Sequence, residues 1–263
     1  RPVAPPAAIA DAARRLGGAR SPLVIAGGGA LGAAAPLREL VEMLDAPLIM
    51  TINGRGLLPP DHPLGVSMSP SLKAVREFMS AADVVLAVGT ELGPTDFDMY
   101  AVADFRPQQH LIRIDIDAQQ LQRNAIPALA LHADAAGSLR AILAHKPVAA
   151  RDQAGAARAA SVRAAALAEL TAAARAQIAF LDTIREILPD ALLVGDSTQP
   201  VYSGNMGFAA ARPGSWFNSA TGYGTLGYAL PASTGAGLAA PDRPVVCLVG
   251  DGGIQFLLGE LAV

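Results

Sequence analysis

Short apolar runs alternate with amphipathic stretches along the first half of the chain. Pro22, Leu23, Val24, Ile25 and Ala26 form an unbroken apolar run between Ser21 and Gly27, which reads as a strand buried on both faces. Leu48-Ile49-Met50, residues 84–88 and residues 111–116 read the same way. Between them apolar positions fall at helical spacing: residues 9–16, closed by Gly17 and Gly18, then 37–44, 72–81 and 135–143, the last led by Asp134 as N-cap. A Gly/Pro-rich loop covers 54–65. Continuous apolar strands separated by helices predict an α/β fold with a parallel sheet covered on both faces.

Residues 149–177 are rich in Ala and Arg and carry only a weak apolar stripe, as expected of a surface helix or connector. Alternation resumes with a helix at 180–188, a strand at 191–194, a polar turn at Asp196-Ser197-Thr198-Gln199 and a helix at 226–238. A strand at 245–249 then runs into Gly250-Asp251-Gly252-Gly253. The expected division is a central α/β unit at 1–148, a helical connector at 149–177 and the incomplete N-terminal part of a second α/β unit at 178–263. Residue 1 is not Met, and residues 254–263 read as a helix without a stop signal, so both ends read as cuts.

Composition narrows the function classes. A chain of 263 residues, 52% hydrophobic and 16% charged, buries sizeable cores. A net charge of -3 leaves no basic surplus for nucleic acid or an anionic membrane face. Apolar runs stop well short of the roughly 20 residues of a membrane span, and the first residues do not read as a signal peptide. The one cysteine, Cys247, lies within an apolar strand and reads as a core residue; the expected location is cytoplasmic. His62, His110, His132 and His145 have no ligand spacing and read as surface or loop residues. Ser203 and Ser219 lack a nucleophile-elbow context, which sets a hydrolase triad aside.

The candidate chemistry sits in two segments. Ala220-Thr221-Gly222-Tyr223-Gly224-Thr225-Leu226-Gly227 is followed about twenty residues later by Val249-Gly250-Asp251-Gly252-Gly253. A strand ending in Gly-Asp-Gly places a carboxylate at the sheet's C-terminal edge, beside backbone N–H groups that open a helix. A helix start favours a diphosphate and a carboxylate oxygen favours Mg²⁺. The tripeptide alone reads as a tight turn as well.

Together the segments resemble the diphosphate-binding domain of the thiamine-diphosphate-dependent superfamily that includes acetolactate synthase and the 2-oxo acid decarboxylases. There a Gly-x-Gly-Thr-[large apolar]-Gly stretch precedes a Gly-Asp-Gly metal motif, and the likeness runs through most of residues 190–263. The resemblance implies thiamine diphosphate and Mg²⁺ as cofactors. Within the first motif, Gly222, Gly224, Thr225 and Leu226 would bind the cofactor: the Gly224 carbonyl would accept from the aminopyrimidine, and Leu226 would be the apolar wedge holding the cofactor bent. Asp251 would bind the metal, and Gly252 and Gly253 would meet the diphosphate. Thr198 and Gln199 match a further diphosphate contact, with a capped helix start as the other reading of Thr198. A wedge is needed because the exocyclic amine must reach the thiazolium C2 proton; Leu226 reads otherwise as a core residue of the 226–238 helix. No catalytic residue is assigned, since the family's glutamate belongs to a separate pyrimidine-binding domain, and an Asn-Asn type segment that completes the metal shell is also expected elsewhere. Glu260 is no substitute, and the chain alone is expected to be inactive.

Residues 20–144 resemble the Rossmann-like central domain of the same superfamily through Ala26-Gly27-Gly28-Gly29-Ala30, Gly54-Arg55-Gly56-Leu57-Leu58-Pro59-Pro60-Asp61-His62-Pro63-Leu64 and Leu86-Ala87-Val88-Gly89-Thr90. That domain holds FAD in acetolactate synthases, and ADP or nothing in other members. The flavin-associated Gly-Met-His-Gly segment is absent where Ser67-Met68-Ser69-Pro70-Ser71 stands. The triple glycine reads as a phosphate cradle or as a tight turn, and Asp115 and Asp117 as ribose contacts or a solvated loop. The implied function of the parent protein is decarboxylation of a small-molecule 2-oxo acid, with release of an aldehyde or carboligation, in a homodimer or homotetramer. Residues 195–205 look closer to decarboxylases of guanidino-oxo acids than to acetolactate synthases, which carry Gly-Gln-His there. The alternative is a nucleotide-binding regulatory or assembly module; a NAD-dependent dehydrogenase lacks its Gly-x-Gly-x-x-Gly.

Overall fold

The computed structural model describes residues 1–97, 110–147 and 154–262. The chain opens with helix α1 (Pro6–Gly17), strand β1 (Pro22–Ala26), α2 (Ala34–Leu44), β2 (Leu48–Met50) and β3 (Gly65–Val66). It continues through α3 (Lys73–Ser80), β4 (Val84–Val88), the short α4 (Pro94–Phe97), β5 (Leu111–Asp115), β6 (Leu129–His132) and α5 (Ala135–Ala144). The strands form one parallel sheet in the order β3-β2-β1-β4-β5-β6, so the order reverses between β1 and β4.

Period-two geometry explains the two-faced burial. In β1, Val24 and Ala26 face a core shared with Leu16 of α1, Leu37 and Leu40 of α2 and Leu139 and Ile142 of α5. Leu23 and Ile25 face the opposite core, with Val75 and Met79 of α3. That second face is completed by helix α6 (Gly155–Glu169), in which Ala159 and Ala166 are fully buried beside Val162. The weak stripe of the Ala-rich segment is thus a row of small residues that lets a helix lie close against the sheet. The expected start of a connector at 149 lies outside the described residues.

Helix α7 (Ala172–Ile187), β7 (Leu192–Gly195), α8 (Gln199–Gly207), β8 (Trp216–Asn218), α9 (Ala229–Ala239), β9 (Val245–Leu248) and α10 (Asp251–Ile254) build a second parallel sheet, ordered β8-β7-β9. Its core joins Leu181, Leu193, Val201, Phe208 and Trp216, and takes in Ile52 from the first unit. Two expectations need correction. The helix expected from 226 begins at Ala229, because Gly227 has φ +84°, a left-handed turn that breaks any helix through it. Cys247, expected in a core, is only half-buried in β9. Among the described residues no helix is long and apolar enough to cross a membrane.

Candidate functional site

Three loops meet at the C-terminal edge of the second sheet. The first is the turn from β7 to α8. Asp196 is fully buried, and its carboxylate accepts from Ser197 N (2.9 Å) and Gly227 N (2.7 Å). Ser197 Oγ donates to the Gly224 carbonyl and lies within hydrogen-bond range of Ser219 Oγ, both at 3.0 Å. Thr198 is the N-cap of α8 in extended geometry, but its side chain makes no capping bond; the capped-start reading of Thr198 is therefore not realised. Gln199, the first residue of α8, is exposed.

The second loop carries the glycine motif. Gly222 N and Gly224 N both donate to Ser219 O (3.1 and 3.0 Å), closing a tight turn in which Gly224 takes φ +66°. Asn218 fixes its base by accepting from Ala220 N (3.2 Å), and Asn218 is itself locked in a reciprocal amide pair with Asn205 (3.1 and 2.9 Å). Gly222, Thr225 and Leu226 are all exposed, and Leu226 keeps 51% of its surface, so it is not the core leucine of a helix.

The third loop runs from β9 into α10. Asp251 opens the helix and is exposed, and its Oδ1 accepts from Gly252 N (2.9 Å). A Cβ on Gly253 would lie 2.9 Å from Asp196 Oδ2, so only a glycine lets α10 approach the buried carboxylate this closely. A Cβ on Gly250 would lie 3.7 Å from Thr198 Oγ1, which sets the starts of α8 and α10 side by side. Two helix starts presenting N–H groups, an uncapped threonine hydroxyl and one exposed carboxylate at the rim form a donor set that fits a diphosphate with a divalent cation. Among the described residues no three His, Cys, Asp or Glu side chains gather as a metal centre. Thr198, Gly224, Leu226, Asp251, Gly252 and Gly253 belong to this meeting of loops, while Gln199, Gly222 and Thr225 stand at its exposed margin. Sequence reading missed Asp196, Ser197, Asn205 and Asn218, although an Asp-Ser pair directly after an apolar strand was the available signal.

The central unit resolves its open alternatives differently. Gly27 N donates to Val88 O (3.1 Å) and Gly29 N to Gly89 O (3.0 Å), so both amides are spent within the protein. A Cβ on Gly29 would lie 2.8 Å from Gly89 Cα; the triple glycine serves the close approach of two strand-ending turns. Asp115 accepts from Asp117 N (2.9 Å) and Asp117 from Gln119 N (2.8 Å), which makes both of them turn-forming residues. A cavity of about 300 Å³ remains at the point where the strand order reverses, lined by Gly29, Gly89, Ile114, Asp115, Ala133 and Asp134. His62 lies in a loop, as one of its two readings had it, but is buried there: Leu64 N donates to its Nδ1 (3.2 Å), and its Nε2 stands 3.0 Å from Glu42 Oε1.

Arg55 joins the two units. It is 1% exposed and donates from Nη1 to Gly204 O (2.5 Å) and Phe208 O (2.6 Å), and from Nη2 to Asn205 O (2.6 Å). These carbonyls end α8, whose opposite end faces the candidate site. Burial lowers the Arg55 pKa to about 10, with the nearby Asp96 opposing the fall. Ser69 of the segment where the flavin motif would stand donates its N–H to Met206 O (2.9 Å), so that segment also docks on α8.

Comparison with known proteins finds two family models along the chain. The family described as thiamine pyrophosphate enzyme, central domain, matches residues 9–142, and the thiamine pyrophosphate enzyme C-terminal TPP binding domain matches residues 194–263. A probable 2-ketoarginine decarboxylase of Pseudomonas aeruginosa is 46% identical over 257 residues, covering 97% of this chain and 45% of that protein. Acetolactate synthase isozyme 1 large subunit of Escherichia coli is 29% identical over 273 residues (97% of this chain, 45% of that protein). Sulfoacetaldehyde acetyltransferase of Rhodobacter capsulatus is 31% identical over 293 residues (99% and 49%). The chain spans about half the length of these curated relatives.

Proposed function

The chain belongs to the thiamine pyrophosphate enzyme family, and from that premise we propose that the whole protein decarboxylates a 2-oxo acid with thiamine diphosphate and Mg²⁺, its substrate a guanidino-oxo acid such as 2-ketoarginine. The observation that carries the reading is the meeting of the Asp196–Thr198 turn, the Gly222–Leu226 loop and the Gly250–Gly253 helix start at one sheet edge. The substrate class rests on the 46% identity to a protein named for that reaction. Carboligation, as in the more distant acetolactate synthases, is the second possible outcome of the same chemistry.

When bound, thiamine diphosphate supplies the carbanion that attacks the oxo group and holds the electrons left by departing CO₂. The chain's own residues hold it. Asp251, whose Oδ1 accepts from Gly252 N, would bind Mg²⁺, and the turns that carry Gly252, Gly253, Thr198 and Gln199 would receive the diphosphate at the two helix starts. Ser197 Oγ takes one lone pair of the Gly224 carbonyl, and the second remains for the aminopyrimidine amine. Gly222 and Thr225 shape the loop that presents Leu226 as the wedge. The protein is read as a cytoplasmic homodimer or homotetramer, in which exposed Tyr223, Phe256 and Leu258 meet a second subunit's surface. The division at 1–148, 149–177 and 178–263 is kept as part of this proposal.

The test is calorimetric titration of thiamine diphosphate with Mg²⁺ into the full-length protein and its Asp251→Ala variant, with CO₂ release followed on 2-oxo acids that include 2-ketoarginine. Binding and decarboxylation by the wild type, both lost in the variant, are expected. A wild type that binds no thiamine diphosphate ends the proposal; release of CO₂ only from pyruvate moves it to the acetolactate side.

A further inference from the structure

We propose that Asp196 is a positioning residue that, with Ser197, clamps the peptide planes on either side of Thr225 and Leu226 and so sets the wedge. The inference rests on the reading of Leu226 as the wedge. Asp196 Oδ2 accepts from Gly227 N at 2.7 Å, and that N–H belongs to the peptide joining Leu226 to Gly227. Ser197 Oγ donates at 3.0 Å to the Gly224 carbonyl, which belongs to the peptide joining Gly224 to Thr225. Two consecutive residues of one turn therefore hold both planes that bracket the wedge.

The loop needs such a hold. Gly224 and Gly227 both sit in left-handed conformations, at φ +66° and +84°, and glycine at each leaves the backbone free to leave them. Leu226 makes little use of core packing to stay in place, being half exposed. A buried carboxylate is an expensive anchor: Asp196 has none of its surface exposed and is paired with backbone N–H groups, with no cation among its contacts in the described residues. Nor does its charge attract a diphosphate, since the signs are alike. What the carboxylate provides is geometry. Its Oδ2 fills the space a Gly253 side chain would need, 2.9 Å from that Cβ position, so the wedge loop and the metal-motif helix are indexed to one oxygen.

The test uses the full-length protein without and with cofactor. Asp196→Asn keeps the volume but turns one acceptor into an NH₂ group, which cannot serve both Gly227 N and Ser197 N. Without cofactor, amide hydrogen exchange of the segment 222–228 is expected to quicken at least about tenfold, as loss of a charge-assisted bond implies, with exchange in β7 unchanged. Thiamine diphosphate affinity, by calorimetry, is expected to weaken by about tenfold or more. Gly253→Ala leaves the carboxylate intact yet displaces it, and is expected to reproduce both effects. Unchanged exchange in Asp196→Asn, or unchanged affinity in both variants, overturns the proposal. Should the wild type bind no thiamine diphosphate, the functional reading falls on its own, and the exchange result still decides whether Asp196 holds the loop.

Discussion

Arg55→Met is the perturbation that most directly tests how the two units are joined. Methionine keeps the length of the aliphatic stem and removes the donors to Gly204 O, Asn205 O and Phe208 O. Gly204 O retains a partner in Phe208 N at 2.8 Å, so the cost falls mainly on the other two carbonyls. Each buried carbonyl left without a donor costs about 1–3 kcal/mol, while removing a buried guanidinium relieves its desolvation; the net loss is about 3 kcal/mol. For a chain of this size that corresponds to a melting temperature lower by about 6–12 °C. Arg55→Lys, able to reach one carbonyl at a time, should fall between the two. Thermal unfolding followed by circular dichroism, with hydrogen exchange at the end of α8, measures both effects. A methionine variant melting within about 2 °C of the wild type, or a lysine variant as stable as arginine, would refute the reasoning.

Two further outcomes follow from the described contacts. Burial holds the Asp96 carboxyl up to about 6, from an ordinary 3.8, against the opposing Ile52 N–H bond and Arg55 charge. Its folded pKa is raised, so the folded state binds the proton more tightly, and the wild type should lose stability as pH rises from about 4 to 6 and level off above. Asp96→Asn, which keeps an acceptor for Ile52 N, should remove that slope in denaturant titrations at pH 4, 5, 6 and 7; parallel profiles would count against it. Gly29→Ala must push the turns after β1 and β4 apart, because its Cβ would lie 2.8 Å from Gly89 Cα, and should destabilise the chain by about 1–3 kcal/mol. Calorimetry on the full-length protein should find its thiamine diphosphate affinity unchanged.

The parallel α/β plan was legible because its long strands declare themselves: Leu23 and Ile25 serve one core, Val24 and Ala26 the other, and such a run needs cover on both sides. Strands β3, β6 and β8 were not legible, being only two to four residues long and, in β6, mostly not buried. The glycine and Gly-Asp-Gly segments pointed to the sheet edge where the structure brings them together. Asp196 read as part of a polar turn because burial cannot be seen locally; its partner Gly227 lies 31 positions away. Arg55 read as one cation in a Gly/Pro-rich loop, since its acceptors stand 149 to 153 positions downstream. Leu226 was drawn toward a helix by the apolar residues after it, and the left-handed Gly227 decides otherwise.

The seam between the units also carries an order of assembly. Ile52 completes the core built around Trp216 and Phe208, and Arg55 satisfies the end of α8, so the second unit borrows side chains synthesised some 150 positions earlier. Domains emerging from a ribosome fold from the N-terminus onward, and here the earlier unit is a template on which the later one closes. A lesion at Ile52 or Arg55 would therefore surface as misfolding of residues far downstream.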